Sequence, residues 1–276
     1  MKWKIRTLFL VIIITFLSAC TKNKEITESS SLPITPTPLI ETSNLKVGND
    51  TYRGFILDNV LKSSYGDIHF NSYFPQINDN EKIDLFVSLP GYNGLYFQGV
   101  GANLKTENFV FEALNYNDKM MIVALQLNDW GKTSANQTIA LVTYLKENYN
   151  IENIYIDGYS GGGETLSLVM SLRPELFKRA LHVASVWDGT ISELVNARVP
   201  IYFVIGKNDE YYGSSRINNT YNQIVFEYKK LNLTDDEISK LATLDIKDAT
   251  YFNGTNQHGG IGKVSHDDKI MSWLFK

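Results

Sequence analysis

A short apolar run at residues 153–157 leads without a break into Gly158-Tyr159-Ser160-Gly161-Gly162, and a helical pattern follows over residues 161–172. The five residues match G-x-S-x-G, a pattern in which a serine stands on a sharp turn between a strand and a helix. Glycine at positions 158 and 162 avoids the collisions that side chains would make beside so tight a turn. The helix N-terminus directs backbone N–H groups towards the serine, where they can stabilise a negatively charged oxygen. The pattern therefore predicts a reactive hydroxyl at Ser160.

A serine hydroxyl is a weak nucleophile unless a base takes its proton, and the four histidines are the candidates. His182 lies inside an apolar run and His69 in an early edge strand, which favours structural roles for both. His258 lies in a loop between the expected last strand, at about 246–252, and the final helix, where α/β sheets gather functional residues. His258 is therefore the predicted base, and His266, in the first turn of the final helix, is the alternative.

An acid is expected beside that imidazole, to orient it and to stabilise its charged form. Asp209 directly follows the apolar run that ends at Gly206, and it is the predicted acid. Glu210 is adjacent and could replace it. Asp188, after the preceding strand, is a weaker candidate.

Apolar runs alternate with helical patterns from about residue 80 to the end of the chain. Nearly unbroken apolar runs are typical of strands in a sheet that is covered on both faces, and they span residues 83–89, 121–125, 154–156, 180–184 and 201–205. Helical patterns cover residues 133–148, 161–172, 214–230 and 235–241, and a last helix is expected to begin at Ser265 with a capping box. Residues 55–61 and 68–74 alternate in polarity and predict an antiparallel edge. The fold class is therefore α/β, with a mostly parallel sheet and helices on both faces.

The chain order Ser160, Asp209, His258 resembles that of the α/β-hydrolases, specifically the esterase and prolyl-oligopeptidase-like group. The resemblance covers about residues 55–275. It implies an oxyanion donor after the third strand of the family, and at the matching loop, residues 89–94, the backbone N–H of Tyr92 would pair with that of Gly161. No His-Gly-Gly-Gly run is present, which disfavours the hormone-sensitive-lipase-like branch. The resemblance implies no metal and no cofactor.

The predicted function is that of a serine hydrolase, with a carboxylic-ester hydrolase first, a prolyl-oligopeptidase-like peptidase second, and a non-catalytic binding lipoprotein third. Only residues 186–200 join the fourth and fifth apolar runs, so we expect an open cleft without a lid there. An open cleft suits small esters or acylated extracellular polymers. Aromatic side chains that could line the mouth are Tyr92, Tyr96, Phe97, Trp130, Tyr159, Trp187, Tyr211 and Tyr212.

The N-terminus resembles the signal sequence of bacterial lipoproteins. Basic residues precede an uncharged run from Thr7 to Ala19, which is too short to span a bilayer and ends in Leu17-Ser18-Ala19-Cys20. The prediction is a signal peptide at 1–19, lipidation of Cys20, a Ser/Thr/Pro-rich tether at 20–50, and one hydrolase domain at 51–276. Lipid chains on Cys20 would hold the domain on the extracytoplasmic face of the cell membrane.

Composition sets the remaining limits. A chain of 276 residues with 43% hydrophobic and 20% charged residues is globular rather than fibrous or disordered. Its formal net charge of −4 disfavours a nucleic-acid partner. One cysteine excludes an intramolecular disulfide, and four scattered histidines disfavour a His/Cys metal cluster.

Overall fold

The computed structural model describes residues 45–78 and 81–276. Within them, ten strands form one sheet. The strands are β1 (Leu45–Lys46), β2 (Thr51–Tyr52), β3 (Phe55–Ser63), β4 (Gly66–Tyr73), β5 (Ile83–Leu89), β6 (Met120–Leu125), β7 (Ile151–Tyr159), β8 (Arg179–Val183), β9 (Ile201–Gly206) and β10 (Ala242–Lys247).

The helices follow the strands along the chain. They are α1 (Ala102–Thr106), α2 (Phe109–Ala113), α3 (Lys132–Asn148), α4 (Gly161–Leu172), α5 (Ser192–Ala197), α6 (Ser215–Lys230), α7 (Asp235–Leu241), α8 (Gln257–Gly260) and α9 (Asp268–Leu274). Short 3₁₀ turns occupy Tyr92–Gly94, Tyr96–Gln98, Pro174–Leu176, Ala249–Phe252 and Ile261–His266.

The sheet is mostly parallel, as predicted. Its order is β1-β3-β4-β6-β5-β7-β8-β9-β10, with β2 paired to β3. All pairs from β6 through β10 are parallel, whereas the pairs made by β1 to β4 are antiparallel. The predicted fold class is therefore confirmed, including the antiparallel edge at the N-terminal side.

Helices cover both faces of the sheet, which explains why the central strands β5, β6, β8 and β9 are almost entirely buried. On β5, Leu85 and Val87 belong to one core, which packs against α3 and α4, while Phe86 belongs to the other, which packs against α2 and α9. All three side chains are fully buried. Because both faces exclude water, the carboxyl ends of the strands are where polar side chains can gather.

Two predicted boundaries near the C-terminus are wrong. The last strand is β10, at 242–247 rather than 246–252, because the Asp248 side chain accepts the N–H groups of Thr250 and Tyr251 and turns the chain into a 3₁₀ segment. The final helix begins at Asp268 and not near Ser265. Its cap is Asp267, whose carboxylate accepts the N–H groups of Lys269 and Ile270.

The predicted signal peptide at 1–19, Cys20 and most of the predicted tether lie outside the described residues. Among residues 45–78 and 81–276, the structure contains no helix with the length and apolar character needed to cross a bilayer.

Candidate active site

Ser160 stands on the predicted strand-to-helix turn. Strand β7 ends at Tyr159 and α4 begins at Gly161, so Ser160 is the single residue between them. Its backbone has φ 53° and ψ −125°, a strained conformation for a residue with a side chain, of the kind that costs about 1–3 kcal/mol and clusters at active sites. The Ser160 N–H donates to the Val183 carbonyl at 2.9 Å, which ties the strained turn to the neighbouring strand.

The glycines around Ser160 are required by close backbone approaches. A Cβ at Gly158 would lie 2.5 Å from the Gly162 carbonyl oxygen, and one at Gly162 would lie 2.7 Å from the Pro90 oxygen. A Cβ at Gly161 would lie closer than 3.0 Å to three atoms of the Trp130 indole ring. The turn is therefore packed against the loop after β5 on one side and against Trp130 on another.

The structure brings Ser160, His258 and Asp209 together. Ser160 Oγ lies 2.9 Å from His258 Nε2, and His258 Nδ1 lies 2.8 Å from Asp209 Oδ2. The three residues follow β7, β9 and β10, whose carboxyl ends share one edge of the sheet. They are nearly buried, with Ser160 9%, His258 8% and Asp209 5% exposed. This is the arrangement that lets an imidazole take a proton from a serine while a carboxylate steadies the ring.

Asp209 is fixed by its own loop. Its Oδ1 accepts the backbone N–H groups of Tyr211 and Tyr212 at 3.0 and 2.9 Å, which leaves Oδ2 for the imidazole. The carboxylate therefore cannot rotate without losing hydrogen bonds, and the imidazole has one preferred orientation.

Glu210 has a different partner from the one considered in the sequence. Its two carboxylate oxygens accept the backbone N–H groups of Gln257 and His258, at 3.0 and 2.8 Å. These bonds lower the pKa of Glu210, since they favour the charged form. Asp209 thus contacts the imidazole of His258, whereas Glu210 holds the backbone of the same residue.

The other candidates for the base and the acid lie elsewhere. His266 pairs with Glu112 at 3.2 Å, and His69 lies 2.7 Å from Asp58. His182 is fully buried and contacts the Val186 carbonyl at 3.1 Å. Burial lowers the pKa of His182 to about 4, so it is neutral at ordinary pH. Asp188 forms an exposed ion pair with Arg216.

The loop after β5 lies across from Ser160. A Cβ at Gly91 would lie 3.3 Å from Ser160 Cβ and 3.1 Å from the Tyr159 ring. The Gly91 N–H donates to Glu107 Oε1 at 2.7 Å, which leaves the N–H of Tyr92 as the next one along the loop. The Gly161 N–H belongs to the first turn of α4, where backbone N–H groups have no intrahelical acceptor.

Aromatic side chains surround His258. The ring centroids of Tyr211, Tyr212 and Tyr159 lie 4.6, 5.5 and 5.9 Å from that of the imidazole. Tyr159 also donates its hydroxyl to the His258 carbonyl at 3.1 Å. Tyr211 is 80% exposed, so its ring faces solvent above the site. Burial first, and then Glu107 and Asp209, raise the pKa of Tyr159, which remains a neutral phenol.

The other predicted aromatic side chains lie in different surroundings. Tyr92 and Phe97 are exposed and contact each other, and Tyr92 lies 6.2 Å from Trp130. Trp187 instead packs against His182 and Phe203, in the core on the face of the sheet that α3 and α4 cover. Tyr96 stacks on His69 at 3.8 Å.

Sequence reasoning missed three polar contacts beside the site. They are the bonds of Glu210 to the Gln257 and His258 backbone, the bond of Glu107 to the Gly91 backbone, and the contact of Tyr212 with Glu164. The Tyr212 hydroxyl donates to Glu164 Oε1 at 2.6 Å, and burial, followed by this bond, raises the pKa of the phenol. The Glu210 contacts have no local signal, because their partners lie 47 and 48 residues away. The Glu107 contact has no local signal, because its partner lies 16 residues away.

Comparison with known proteins supports the fold. Residues 125–233 match the prolyl oligopeptidase family, a region that contains Ser160 and Asp209 but not His258. No curated protein matches the sequence.

Solved structures of similar shape include esterases and one protein described as a peptidase. The chain resembles a thermostable esterase (TM-score 0.65, 19% identity, 80% of this chain and 62% of that chain) and an esterase from Pyrococcus furiosus (TM-score 0.57, 12% identity, 83% and 96%). It also resembles a Bacteroides ovatus protein described as a dipeptidyl aminopeptidase IV (TM-score 0.56, 14% identity, 82% and 36%). The chain thus spans less than two thirds of the thermostable esterase. Because proteins described as esterases and as a peptidase share this architecture, the likeness shows the α/β-hydrolase fold and does not separate the two reactions.

Proposed function

We propose that the protein is a serine hydrolase that cleaves carboxylic esters through an acyl-enzyme on Ser160. The observation that carries this proposal is the unbroken contact from Ser160 Oγ to His258 Nε2 and from His258 Nδ1 to Asp209, on a strained strand-to-helix turn. A resting hydroxyl 2.9 Å from an imidazole nitrogen is within the range for direct proton transfer.

The reaction has two halves. Ser160 Oγ attacks the ester carbonyl carbon while its proton passes to His258 Nε2, and the N–H groups of Gly161 and Tyr92 bind the resulting oxyanion. Collapse of this intermediate breaks the bond to the alcohol oxygen, which takes the proton from His258. A water molecule then gives its proton to His258 and attacks the acyl carbon, and the carboxylic acid leaves as Ser160 regains its proton. Asp209 stabilises the imidazolium in both halves.

Esters are preferred over amides on two grounds. Residues 184–200 contribute only the short helix α5 before β9, so this segment adds no lid-sized insertion, and the exposed rings of Tyr92, Phe97 and Tyr211 suit a small ester or an acylated extracellular polymer. The match to the prolyl oligopeptidase family favours a second candidate, a peptidase that uses the same residues on an amide.

The test uses Ser160→Ala. We expect this variant to lose hydrolysis of p-nitrophenyl acetate and labelling by a fluorophosphonate probe, while its thermal unfolding stays that of a folded protein. Ser192→Ala, at an exposed position of α5, is the matched control and should keep both signals. Higher kcat/KM on prolyl- or aminoacyl-anilides than on short acyl esters would favour the peptidase. Absence of labelling in the wild-type protein would favour a non-catalytic binding protein.

We also propose that the protein is lipid-anchored through Cys20 on the extracytoplasmic face of the cell membrane. The support is the sequence Leu17-Ser18-Ala19-Cys20 after an uncharged run. Metabolic labelling with a palmitate analogue should mark the wild-type protein and not Cys20→Ser, and the variant should leave the membrane fraction. Equal labelling of the two proteins would refute the anchor.

A further inference from the structure

The Glu107 carboxyl lies against the loop that faces the nucleophile. It follows α1, and its Oε1 accepts the Gly91 N–H at 2.7 Å. Gly91 is so close to Ser160 that a Cβ there would lie 3.3 Å from Ser160 Cβ. The bond to Glu107 therefore fixes the backbone from which the proposed Tyr92 oxyanion donor extends.

This carboxyl has surroundings that disfavour a charge. A cavity of about 10 Å³, about the size needed for one water molecule, lies beside Glu107 and is lined by Ser88, Asn103 and Leu104, among others. Asp157 of β7 is fully buried near Glu107. The Ser88 hydroxyl and the Leu89 N–H are the polar groups that act on its carboxyl, although neither meets strict hydrogen-bond geometry.

Burial accordingly raises the pKa of Glu107 to about 8, with a further contribution from Asp157 and an opposing one from the Gly91 bond. Burial raises the pKa of Asp157 to about 8 as well. Two acids this close lose their protons as a coupled pair, so the observed values belong to the pair. At neutral pH both groups are mainly protonated.

From these contacts we infer that Glu107 is a positioning residue of the oxyanion loop: in its neutral form it holds residues 90–92 against Ser160, and its ionisation places a negative charge beside the developing oxyanion. The inference rests on the proposed serine-hydrolase function. A neutral carboxyl still accepts the Gly91 N–H through its carbonyl oxygen. The hydrogen bond to the loop therefore persists, without a negative charge that would repel the oxyanion.

Other ionisable groups also face this carboxyl. They are Asp157 and Tyr159 on β7, and Lys263 on the segment after His258, which borders the cleft that Glu107 and Tyr159 share. Tyr159 stays neutral, and the Lys263 ammonium contacts the Tyr251 carbonyl. The Glu107–Asp157 pair is therefore the one whose charge changes near pH 8.

The inference predicts a decline of kcat as the pH rises through about 8, since the neutral carboxyl is the active form. Glu107→Gln keeps an oxygen acceptor for the Gly91 N–H but cannot ionise, so it should rescue activity relative to Glu107→Leu and show a smaller alkaline decline, to which only Asp157 then contributes. Glu107→Leu loses the hydrogen bond to the Gly91 N–H. It should lower kcat by up to about 100-fold with little change in KM, a loss comparable to that of one oxyanion donor.

The experiment measures kcat and KM for p-nitrophenyl acetate from pH 5 to 9.5 in the wild type and both variants, after each has been shown to unfold cooperatively. Glu193→Gln, on exposed α5, is the control and should keep the wild-type profile. An alkaline decline that is unchanged in Glu107→Gln would overturn the inference, as would wild-type kcat in Glu107→Leu. Either result leaves the proposed function intact as long as Ser160→Ala is inactive, whereas an active Ser160→Ala would remove the proposed function itself.

Discussion

The contact of Gly161 with Trp130 gives the sharpest test of the site, through the substitution Gly161→Ala. The added Cβ would lie closer than 3.0 Å to three atoms of the indole ring, whereas ordinary contacts begin near 3.4 Å. The ring or the start of α4 would therefore have to withdraw by about 1.4 Å. Overpacking of this kind typically costs about 1–3 kcal/mol.

The consequence for catalysis depends on which of the two moves. If the first turn of α4 shifts, the Gly161 N–H leaves the oxyanion, and loss of one such donor lowers kcat by about 10²–10³-fold. Because Trp130 borders Tyr92, a shift of the ring disturbs the opposite side of the site as well. We therefore expect Gly161→Ala to lower both kcat and the unfolding temperature.

A double-mutant cycle isolates this contact. Trp130→Ala removes the ring, so Gly161→Ala should cost at least about tenfold less in kcat in that background, which corresponds to a coupling of about 1.4 kcal/mol or more. The assay is p-nitrophenyl acetate hydrolysis with thermal unfolding measured in parallel. Gly131→Ala is the matched control, because a Cβ there meets nothing closer than 3.7 Å. Equal losses in the two backgrounds, or no loss in either, would refute the packing argument.

Three further substitutions test individual contacts of the site. Asp209→Asn should lower kcat by about 10⁴-fold while the protein stays folded, because an amide can favour the wrong tautomer of His258. Pre-steady-state acylation rates would check this, and a loss of less than tenfold would contradict it. Glu210→Gln should lower kcat less than Asp209→Asn does and should also lower the unfolding temperature, since one amide oxygen replaces two acceptors for the Gln257 and His258 N–H groups; an unchanged unfolding temperature would speak against these bonds. Asp157→Asn should reduce the fall of stability with rising pH, leaving the part that comes from Glu107. The folded protein keeps the Asp157 proton up to about pH 8, while the unfolded chain releases it near the ordinary value of 3.8. This proton alone therefore lowers the free energy of unfolding by about 1.4 kcal/mol per pH unit between about pH 5 and 7. Urea unfolding at pH 5, 6 and 7 would show the same slope in the wild type and in Asp157→Asn if Asp157 is not the source.

The parts of the site that could be predicted from the sequence are those encoded by short, continuous patterns. The strand, the two glycines and the helix around Ser160 lie within some twenty residues, and each has a local steric reason to be there. Asp209 could be found because it directly follows the buried strand β9, and His258 because it lies between the last strand and the final helix, although the predicted bounds of that strand and that helix are wrong.

The parts that could not be predicted depend on contacts between distant segments. Nothing near Glu107 in the sequence indicates Gly91 as its partner. Glu107 is half-buried as a residue, and the packing around its carboxyl, with a smaller effect of Asp157 on β7, raises its pKa only once these distant segments meet. The last strand was misplaced for a related reason: residues 248–252 contain apolar residues, but the Asp248 side chain binds two backbone N–H groups and excludes an extended chain. Trp187 was predicted near the mouth of the site because it is aromatic and follows a strand, but its ring packs in the core against Phe203.

The two acids at 209 and 210 join the ends of a long excursion of the chain. One side chain binds the ring of His258 and the other binds its backbone, so residues 211–256 leave and return at the same point. Helices α6 and α7 and strand β10 therefore lie between two chain positions that are held together by hydrogen bonds from Asp209 and Glu210. The start of this segment also belongs to the site, since Tyr211 and Tyr212 donate their N–H groups to Asp209 and lie against the imidazole. We therefore expect changes in its length or sequence to be tolerated only beyond those two residues.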